Sequence, residues 1–579
     1  MTGPTRRAPI VAVVALAAVI VAAAGVLLQT DIGPFHDPTQ RSPSASASPS
    51  PSEVAAGGRS QVPESPRPEG TTISAQIVVY GSTPSGIVAA VSAARSGANV
   101  ILVSPDLVIG GMMTSGLGHT DAGRRSLVGG LPREVLRSID RSEARSAPDW
   151  APSLSWDFEP HVALAVFTSL LDKAHVGVYT GVHLDRTRPV DVESRRITAI
   201  AMTDGTTIRG DEYIDASYEG DLMAAAGVPS TIGRESHAKY GEPLAGARPV
   251  PARAAPSSLV HGVDATGMPL PGTTTATLEN SAGDGFVQAA TYRLCVTDDR
   301  SNLMPFAQPA GYDPANFALI GRALSTWRAR TGTAPTIASV LSLSRLPDHK
   351  WDLNNSGLFS TDVMDAVERW PTGDEADRAA MMVTHRDWVQ GLLWYLRTAP
   401  AVPVQIRRPV ARLGLCADEF AASGGWPPEL YIREARRMVG DLVLTQRDLQ
   451  TKVTKADPIA LGTYRIDAHY VRRLLGADGR VRGDGLLSAP ATPYQIPYRA
   501  LLPPAQSVDN LIVSVTISAS HVAWSSIRTE PTLMAIGQAA GVAAAIAAHD
   551  GVATHDVDVR AIRKVLLAAG AIIAAPVRH

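Results

Sequence analysis

The segment from Gln76 to Asp121 reads QIVVYGSTPSGIVAAVSAARSGANVILVSPDLVIGGMMTSGLGHTD, and it narrows the available folds more than any other part of the chain. A short apolar run, Ile77 to Tyr80, meets the turn Gly81-Ser82-Thr83-Pro84-Ser85-Gly86. A small-residue helical pattern follows from Ile87 to Ser96, then Gly97 as a stop and a second apolar run, Val100 to Val103. Strand, tight turn, helix and strand in so little sequence is the βαβ unit that binds dinucleotides. Gly81 allows the sharp exit from the strand, and Gly86 allows the helix to lie close to the sheet. The helix start then directs N–H groups and the positive end of its dipole at a pyrophosphate. Two positions depart from the G-x-G-x-x-G pattern. Thr83 replaces the middle glycine, and Ser104 stands where a ribose-binding acid is expected, with Asp106 two residues later. For the turn alone, a βαβ unit that merely turns on glycines is an equal reading. A second glycine-rich loop, Gly110-Gly111-Met112-Met113-Thr114-Ser115-Gly116-Leu117-Gly118, favours a nucleotide needing further backbone donors.

The first turn, the V-I-L-V-S-P strand end and the G-G-M-M-T-S-G-L loop resemble the FAD-dependent oxidoreductase family, loosely related to the flavin subunit of heterodisulfide reductase. The resemblance runs from about Gln76 to the C-terminus. It implies an α/β fold: a doubly wound, Rossmann-like FAD-binding domain with an inserted β-meander, and a large mixed α+β substrate domain. It also implies FAD as cofactor, held by Gly81, Thr83, Pro84, Ser85, Gly86, Ser104, Gly110, Gly111, Met112, Thr114 and Gly116.

At 579 residues the chain is too long for one core, and its net charge of −2 gives no reason to expect nucleic acid. Two cysteines, Cys295 and Cys416, cannot build a disulfide framework or supply an iron–sulfur cluster, and Cys295 reads as a small buried hydrophobe. Residues 1–8 precede an uncharged apolar run at 9–28, long enough to span a bilayer; Arg6 and Arg7 before it place the N-terminus inside and the rest outside. A retained anchor is preferred over a cleaved signal peptide. The Arg6-Arg7 pair adds a further hypothesis, export in the folded state, although the rest of such a signal is poor. Residues 29–72 form a Ser/Pro-rich disordered linker. The expected division continues with 73–233 and 485–579 as two parts of the FAD-binding domain, and 234–484 as the substrate or lid domain between them.

Along the body, helices are expected from Val128 to Ile139 and from Ala163 to Ala174. A strand meander follows at Val176–His183, Ile197–Met202 and Thr207–Ile214, with Asp204-Gly205 as a hairpin turn. The chain re-enters the sheet at Tyr213-Ile214-Asp215-Ala216-Ser217-Tyr218-Glu219-Gly220-Asp221. The family motif here implies flavin contact for Ala216, Ser217 and Gly220. The carboxylates of Asp215, Glu219 and Asp221 are expected to cap the next helix and serve the adenosine side; no metal is expected. In the insertion, Lys350, Asp352 and Asn354 form a polar group suited to a substrate, with an ordinary turn as the alternative. Tyr431 to Gly440 reads as an ion-pair helix. Asp467 and His469, two apart, share one face of a strand. Ser518 to Pro531 leads into a helix through Ala547, too short in its apolar run to span a membrane, whose Gly537 and Gly541 leave a bare packing face. In the family the S-A-S-H-V-A and R-x-E-P motifs close the flavin site, which places Ser520, Glu530 and Pro531 on the cofactor.

The leading function is hydride transfer between a small polar substrate and bound FAD, outside the cytoplasmic membrane. His521 is the first candidate for proton handling, Arg528 for neutralising negative charge and His119 as second histidine; Tyr218 and His469 stand behind them as substrate contacts. A nicotinamide-dependent dehydrogenase and a non-catalytic binding module are the alternatives. The expected partners are a small-molecule substrate and, through the N-terminal helix, the membrane.

Overall fold

The computed structural model describes residues 70–121, 123–143, 156–249 and 260–575. The expected membrane anchor, and the linker up to residue 69, lie outside the described residues.

The first sheet is built from β1 (Thr72–Tyr80), β2 (Val100–Ser104), β3 (Gly177–Thr180), β4 (Val190–Glu193), β5 (Arg196–Ala201) and β6 (Thr207–Asp215), in the order β3-β2-β1-β6-β5-β4. A seventh strand, Leu511–Val513, pairs with β6 in parallel. β1, β2, β3 and β6 are parallel neighbours, with Tyr80 opposite Val103 on one side and Asp215 on the other. Alternation of side chains distributes the apolar run over two cores: Ile77 and Val79 enter one, Val78 and Tyr80 the other. This two-sided burial explains why β1 and β2 read as continuous apolar runs.

The expected meander is corrected at its start. The stretch beginning at Val176 supplies β3, which joins the parallel part of the sheet beside β2. The antiparallel excursion consists instead of β4, β5 and β6, and β4 had no strand signal of its own. The Asp204-Gly205 turn is present: Asp204 accepts the Thr206 N–H and Gly205 has φ +82°.

Helix α1 (Pro84–Arg95) follows β1, with α2 (Gly130–Ser142), α3 (Pro160–Lys173) and the short α4 (Asp221–Ala225) next in the chain. Near the C-terminus come α5 (His521–Ile527) and α6 (Glu530–Asp550). α6 is long and apolar enough to cross a membrane, which corrects the expectation that its apolar run is too short. It is nevertheless a core helix, because 83% of its most apolar window is buried inside the protein. The bare face of α6 lies on α1. A Cβ on Gly537 would stand 2.1 Å from the Ser85 carbonyl oxygen, and one on Gly541 2.1 Å from that of Ala89.

A second sheet lies in the insertion. It comprises β7 (Leu294–Thr297), β8 (Leu303–Pro305), β9 (Leu341–Arg345), β10 (Lys350–Asn355) and β11 (Gly414–Cys416), in the order β9-β10-β7-β11-β8. β7 and β11 are antiparallel with Leu415 opposite Val296, which brings Cys295 and Cys416 face to face in a disulfide. The reading of Cys295 as an unpaired hydrophobe is corrected; it is buried, but bonded. Nothing local signals this pairing, since the partners are 121 residues apart and meet through sheet register. Cys416→Ser is expected to lower unfolding stability by about 4 kcal/mol, because so long a closed loop removes much entropy from the unfolded chain. Denaturant melts of the oxidised wild type and the variant measure it.

Tyr431 to Gly440 is not a helix. The chain is extended here, with Arg437 and Met438 in a short strand. Charges spaced three and four apart fit a helix, and Glu434 and Arg437 do pair locally, but the segment is held by separate tertiary partners: Arg433 with Asp362, Glu434 with His521, Arg436 with Asp221, and Arg437 with Glu235. A helix could not reach all four elements at once.

Candidate functional site

Three loops meet at the carboxyl ends of β1, β2 and β6, where ligands bind in open α/β sheets. Gly81 has φ +102°, and a Cβ there would lie 2.5 Å from the Ser217 nitrogen and 2.6 Å from the Ala216 carbonyl carbon. At Gly86 a Cβ would meet the Gly81 carbonyl oxygen at 2.0 Å. Thr83 caps α1 by accepting the Gly86 N–H and donates its own hydroxyl to the Ala216 carbonyl at 2.8 Å. The residue that departs from the glycine pattern thus ties the first turn to the third loop. Pro84 takes the first helical position, where no amide donor is needed. Ser85 and Ser104 are fully buried; their hydroxyls go to Ser514 and Ser82. Their assignment to the cofactor is corrected: both brace the turn from inside. The acid near the end of β2 is Asp106. It keeps solvent access at the rim, yet enclosure by the surrounding protein, with the Glu219 charge, pushes its carboxyl up to about 7.

The second glycine loop packs beside this turn. Gly110 and Gly116 have φ +105° and +118°, and a Cβ on Gly116 would strike the Arg293 carbonyl oxygen at 2.3 Å. The Thr114 hydroxyl folds back to the Ile109 and Gly111 carbonyls. The Tyr218 hydroxyl accepts the Met112 N–H at 3.1 Å and donates to Glu530 at 2.6 Å, so the loop, the β6 exit and the start of α6 are joined through one phenol. Pro531 sits in the first turn of α6, beside Glu530. Burial pushes the Glu530 carboxyl up to about 7 and leaves Oε2 without a partner. Glu429 reaches in from the insertion to accept the Ser115 hydroxyl, and burial together with the Asp106 charge holds its carboxyl well above the usual range.

At the β6 exit, Asp215 accepts from Ser217 and from the Met223 N–H, and so holds the turn and the start of α4. Gly220 takes a left-handed conformation just before α4. Asp221 pairs with Arg378 and Arg436, and Glu219 accepts the Trp370 indole N–H, so the expectation that all three carboxylates cap the helix holds for Asp215 alone.

Beyond the second loop a polar group gathers around Tyr431. Arg528 donates to its hydroxyl at 3.0 Å, and the Arg433 and Arg293 guanidinium groups lie 4.8 and 5.7 Å from its ring centre. Each arginine has a carboxylate: Asp467 for Arg528, Asp362 for Arg433, Asp352 for Arg293. The strand that carries Asp467 ends at Ala468, so His469 lies just past it, and each of the two serves its own partner rather than the other. His469 places Nδ1 2.7 Å from Asp362, and burial with the Arg433 charge lowers its pKa. His119 places Nδ1 2.5 Å from Asp157. Burial alone would lower the pKa of His119, but Asp157, Asp121 and Asp352 together carry it above the ordinary value.

His521 is placed differently from its expected role. It is 2% exposed, Nδ1 bonds Glu434, its N–H bonds Glu235, and Nε2 is enclosed without a partner. A ring so enclosed offers neither nitrogen to a substrate, so its assignment as first proton handler is corrected; it anchors the extended segment at Glu434. Ser520 is likewise internal, its hydroxyl divided between the cap of α5 and Glu242. Lys350 and Asp352 are each 1% exposed and committed to ion pairs, Lys350 with Glu159 and Asp418, Asp352 with Arg293. Asn354 accepts from the neighbouring Asn355 N–H. The stretch is strand β10, neither turn nor open substrate contact, and it braces the wall behind His119. Glu159, His161 and Glu419 could present ligand atoms within 4.8 Å of one another, but the Lys350 ammonium already neutralises Glu159.

Sequence reasoning missed Arg293, Asp362, Glu429, Tyr431 and Tyr464. Tyr464 stands near Asp121 and Asp467, and burial with those charges raises its phenol pKa. Tyr431 opens the R-E-A-R-R segment, and its signal was masked by the helix reading.

The residues present fit FAD. The close-packed glycine turns, the Asp106 carboxyl past the end of β2 and the unpartnered buried Glu530 oxygen at a helix start are the features a dinucleotide would use. A sequence model of the family described as FAD dependent oxidoreductase matches residues 76–566. No curated protein matches. Among solved structures, OxyS anhydrotetracycline hydroxylase from Streptomyces rimosus is 12% identical over 28% of this chain and 36% of its own, with a TM-score of 0.23. THI4 from Thermovibrio ammonificans is 20% identical over 27% of this chain and 63% of its own, TM-score 0.20. L-amino acid deaminase from Proteus vulgaris is 14% identical over 29% and 54%, TM-score 0.20. This chain thus spans less than two thirds of each of these three proteins.

Proposed function

The chain belongs to the FAD-dependent oxidoreductase family, and on that premise we propose that it moves a hydride between a small polar substrate and FAD outside the cytoplasmic membrane. The family match sets aside a nicotinamide enzyme and a non-catalytic module. FAD, when bound, supplies a two-electron hydride acceptor. The residues that would hold it are the Ser82–Pro84 turn at the pyrophosphate, Asp106 at the ribose, and the 110–116 loop with Tyr218, Glu530 and Pro531 at the flavin end. Substrate would bind against Arg528, Tyr431 and Tyr464, whose fixed geometry orients it.

The observation that carries the reading is the convergence on Tyr431 of three arginines from separate segments, next to the glycine loop that approaches Arg293. Arg433 and Arg293 are committed to Asp362 and Asp352 and fix the ring from behind, so Arg528, the most exposed of the three, is the donor suited to an oxygen-bearing substrate. The external location is supported by the Cys295–Cys416 disulfide, which persists in oxidising compartments, and by the apolar run at 9–28.

Anaerobic addition of a panel of polar hydroxyl and carbonyl compounds to purified holoprotein tests the reading. At least one hydroxyl compound is expected to bleach the flavin absorbance. Bleaching by dithionite but by no member of the panel defeats it. For the location, a C-terminal reporter that matures only in an oxidising compartment is expected to be active.

A further inference from the structure

Three histidines, His119, His469 and His521, each rest Nδ1 on a carboxylate, but they differ in what is left over. At His521 the remaining nitrogen is sealed in protein. At His469 the side chain is 20% exposed and at His119 27%, and neither Nε2 has a hydrogen-bond partner among the described residues. The two open imidazoles meet opposite surroundings. Around His119, Asp157, Asp121 and Asp352 raise the affinity of the ring for a proton, and the Arg293 guanidinium, paired with Asp352, donates to the His119 carbonyl. His469 faces Asp362 and Arg433 from neighbouring segments and Asp467 from its own, and its backbone N–H is fixed by Gln288. Asp362 is fully buried and bound to Arg433 at 3.1 Å, so its charge is already shared when it accepts from His469.

We propose that His469 is the proton acceptor of the reaction, presenting Nε2 to the substrate hydroxyl, with Asp362 as its positioning residue. This rests on the substrate reading above. Asp362 selects the tautomer that carries hydrogen on Nδ1, which leaves the lone pair on Nε2 of a partly exposed ring. Burial and the Arg433 charge favour the neutral ring, the form able to accept. Asp467, two residues before it in the chain, holds Arg528, so the acceptor and the guanidinium are tied to one short segment. As an alcohol is oxidised, its O–H bond breaks and the proton passes to Nε2. The hydrogen on carbon leaves with its bonding electron pair for the flavin, and the substrate becomes a carbonyl two electrons poorer. At His119 the surrounding carboxylates favour the charged ring, which makes it the poorer acceptor of the two. Pairs of groups whose environments drive them to opposite protonation states mark acid and base roles.

Two measurements on the holoprotein test this. Diethyl pyrocarbonate attacks neutral, accessible imidazole, and peptide mapping after brief treatment at pH 6 needs no substrate. His469 is expected to react faster than His119 and His521, and Asp362→Asn to change that rate. If His119 reacts first, the assignment is overturned. With a compound from the panel that bleaches the flavin, His469→Gln is expected to slow bleaching by roughly a hundredfold while flavin content stays at the wild-type level. The loss should appear in the limiting rate rather than in substrate affinity. A variant that bleaches at the wild-type rate overturns the proposal. A panel that bleaches nothing defeats the substrate reading instead, and the mapping still decides whether His469 is the open, neutral ring.

Discussion

Gly81→Ala is expected to yield a folded protein that purifies without flavin. The position has φ +102°, and the added carbon would fall 2.5 Å from the Ser217 nitrogen and 2.6 Å from the Ala216 carbonyl carbon. Both obstacles are backbone, in a loop fixed to β1 by the bond from Ala216 N to the Tyr80 carbonyl, so no side chain can rotate away. The turn and the third loop must separate, and both line the cofactor cradle. A misfit of ~3 kcal/mol, in the range of strained backbone and overpacking, would weaken binding by roughly a hundredfold. The absorbance ratio of flavin to protein reads the result. Full flavin content in the variant would remove this turn from the cofactor site.

The second large effect is expected at Gly537→Ala, on stability. The new methyl would press on the Ser85 carbonyl oxygen at 2.1 Å, and the Ser85 carbonyl carbon would lie 2.8 Å away. α1 and α6 must then move apart along an interface buried on both sides, at a cost of about 3 kcal/mol. Ser85 lies in the first turn of α1, so flavin retention should fall along with the unfolding midpoint. Gly551→Ala provides the comparison: its Cβ would meet nothing within 4 Å, and although its φ of +65° strains an alanine, no packing is lost. Thermal melts of the three holoproteins should place Gly537→Ala lowest.

What could be read from sequence was what is local. The βαβ unit, the Asp204-Gly205 hairpin and the bare face at Gly537 and Gly541 depend on residues a few positions apart, and periodicity or a single turn reports them. The disulfide, the sealing of His521 by Glu434 and the cluster about Tyr431 depend on segments brought together by sheet register and by the insertion. The 431–440 segment shows how this misleads. Spacing compatible with a helix is equally compatible with an extended chain whose charges have separate destinations, and tertiary partners decided between them. His469 and His521 looked equivalent as letters; what distinguishes them is which nitrogen a ligand can reach.

The parallel sheet is joined by residues 511–513, and α1 is covered by a helix that begins at Glu530. Strand β1 therefore leaves the ribosome more than four hundred residues ahead of its late partners, and the nucleotide fold it begins cannot close until residues 511–550 have emerged. A nascent chain halted before residue 511 would present half a cradle with an uncovered apolar flank, prone to capture by chaperones and unable to hold its nucleotide. Cofactor loading must then follow synthesis of these residues rather than precede it, although the five-stranded sheet of the insertion, with its own disulfide, can form earlier.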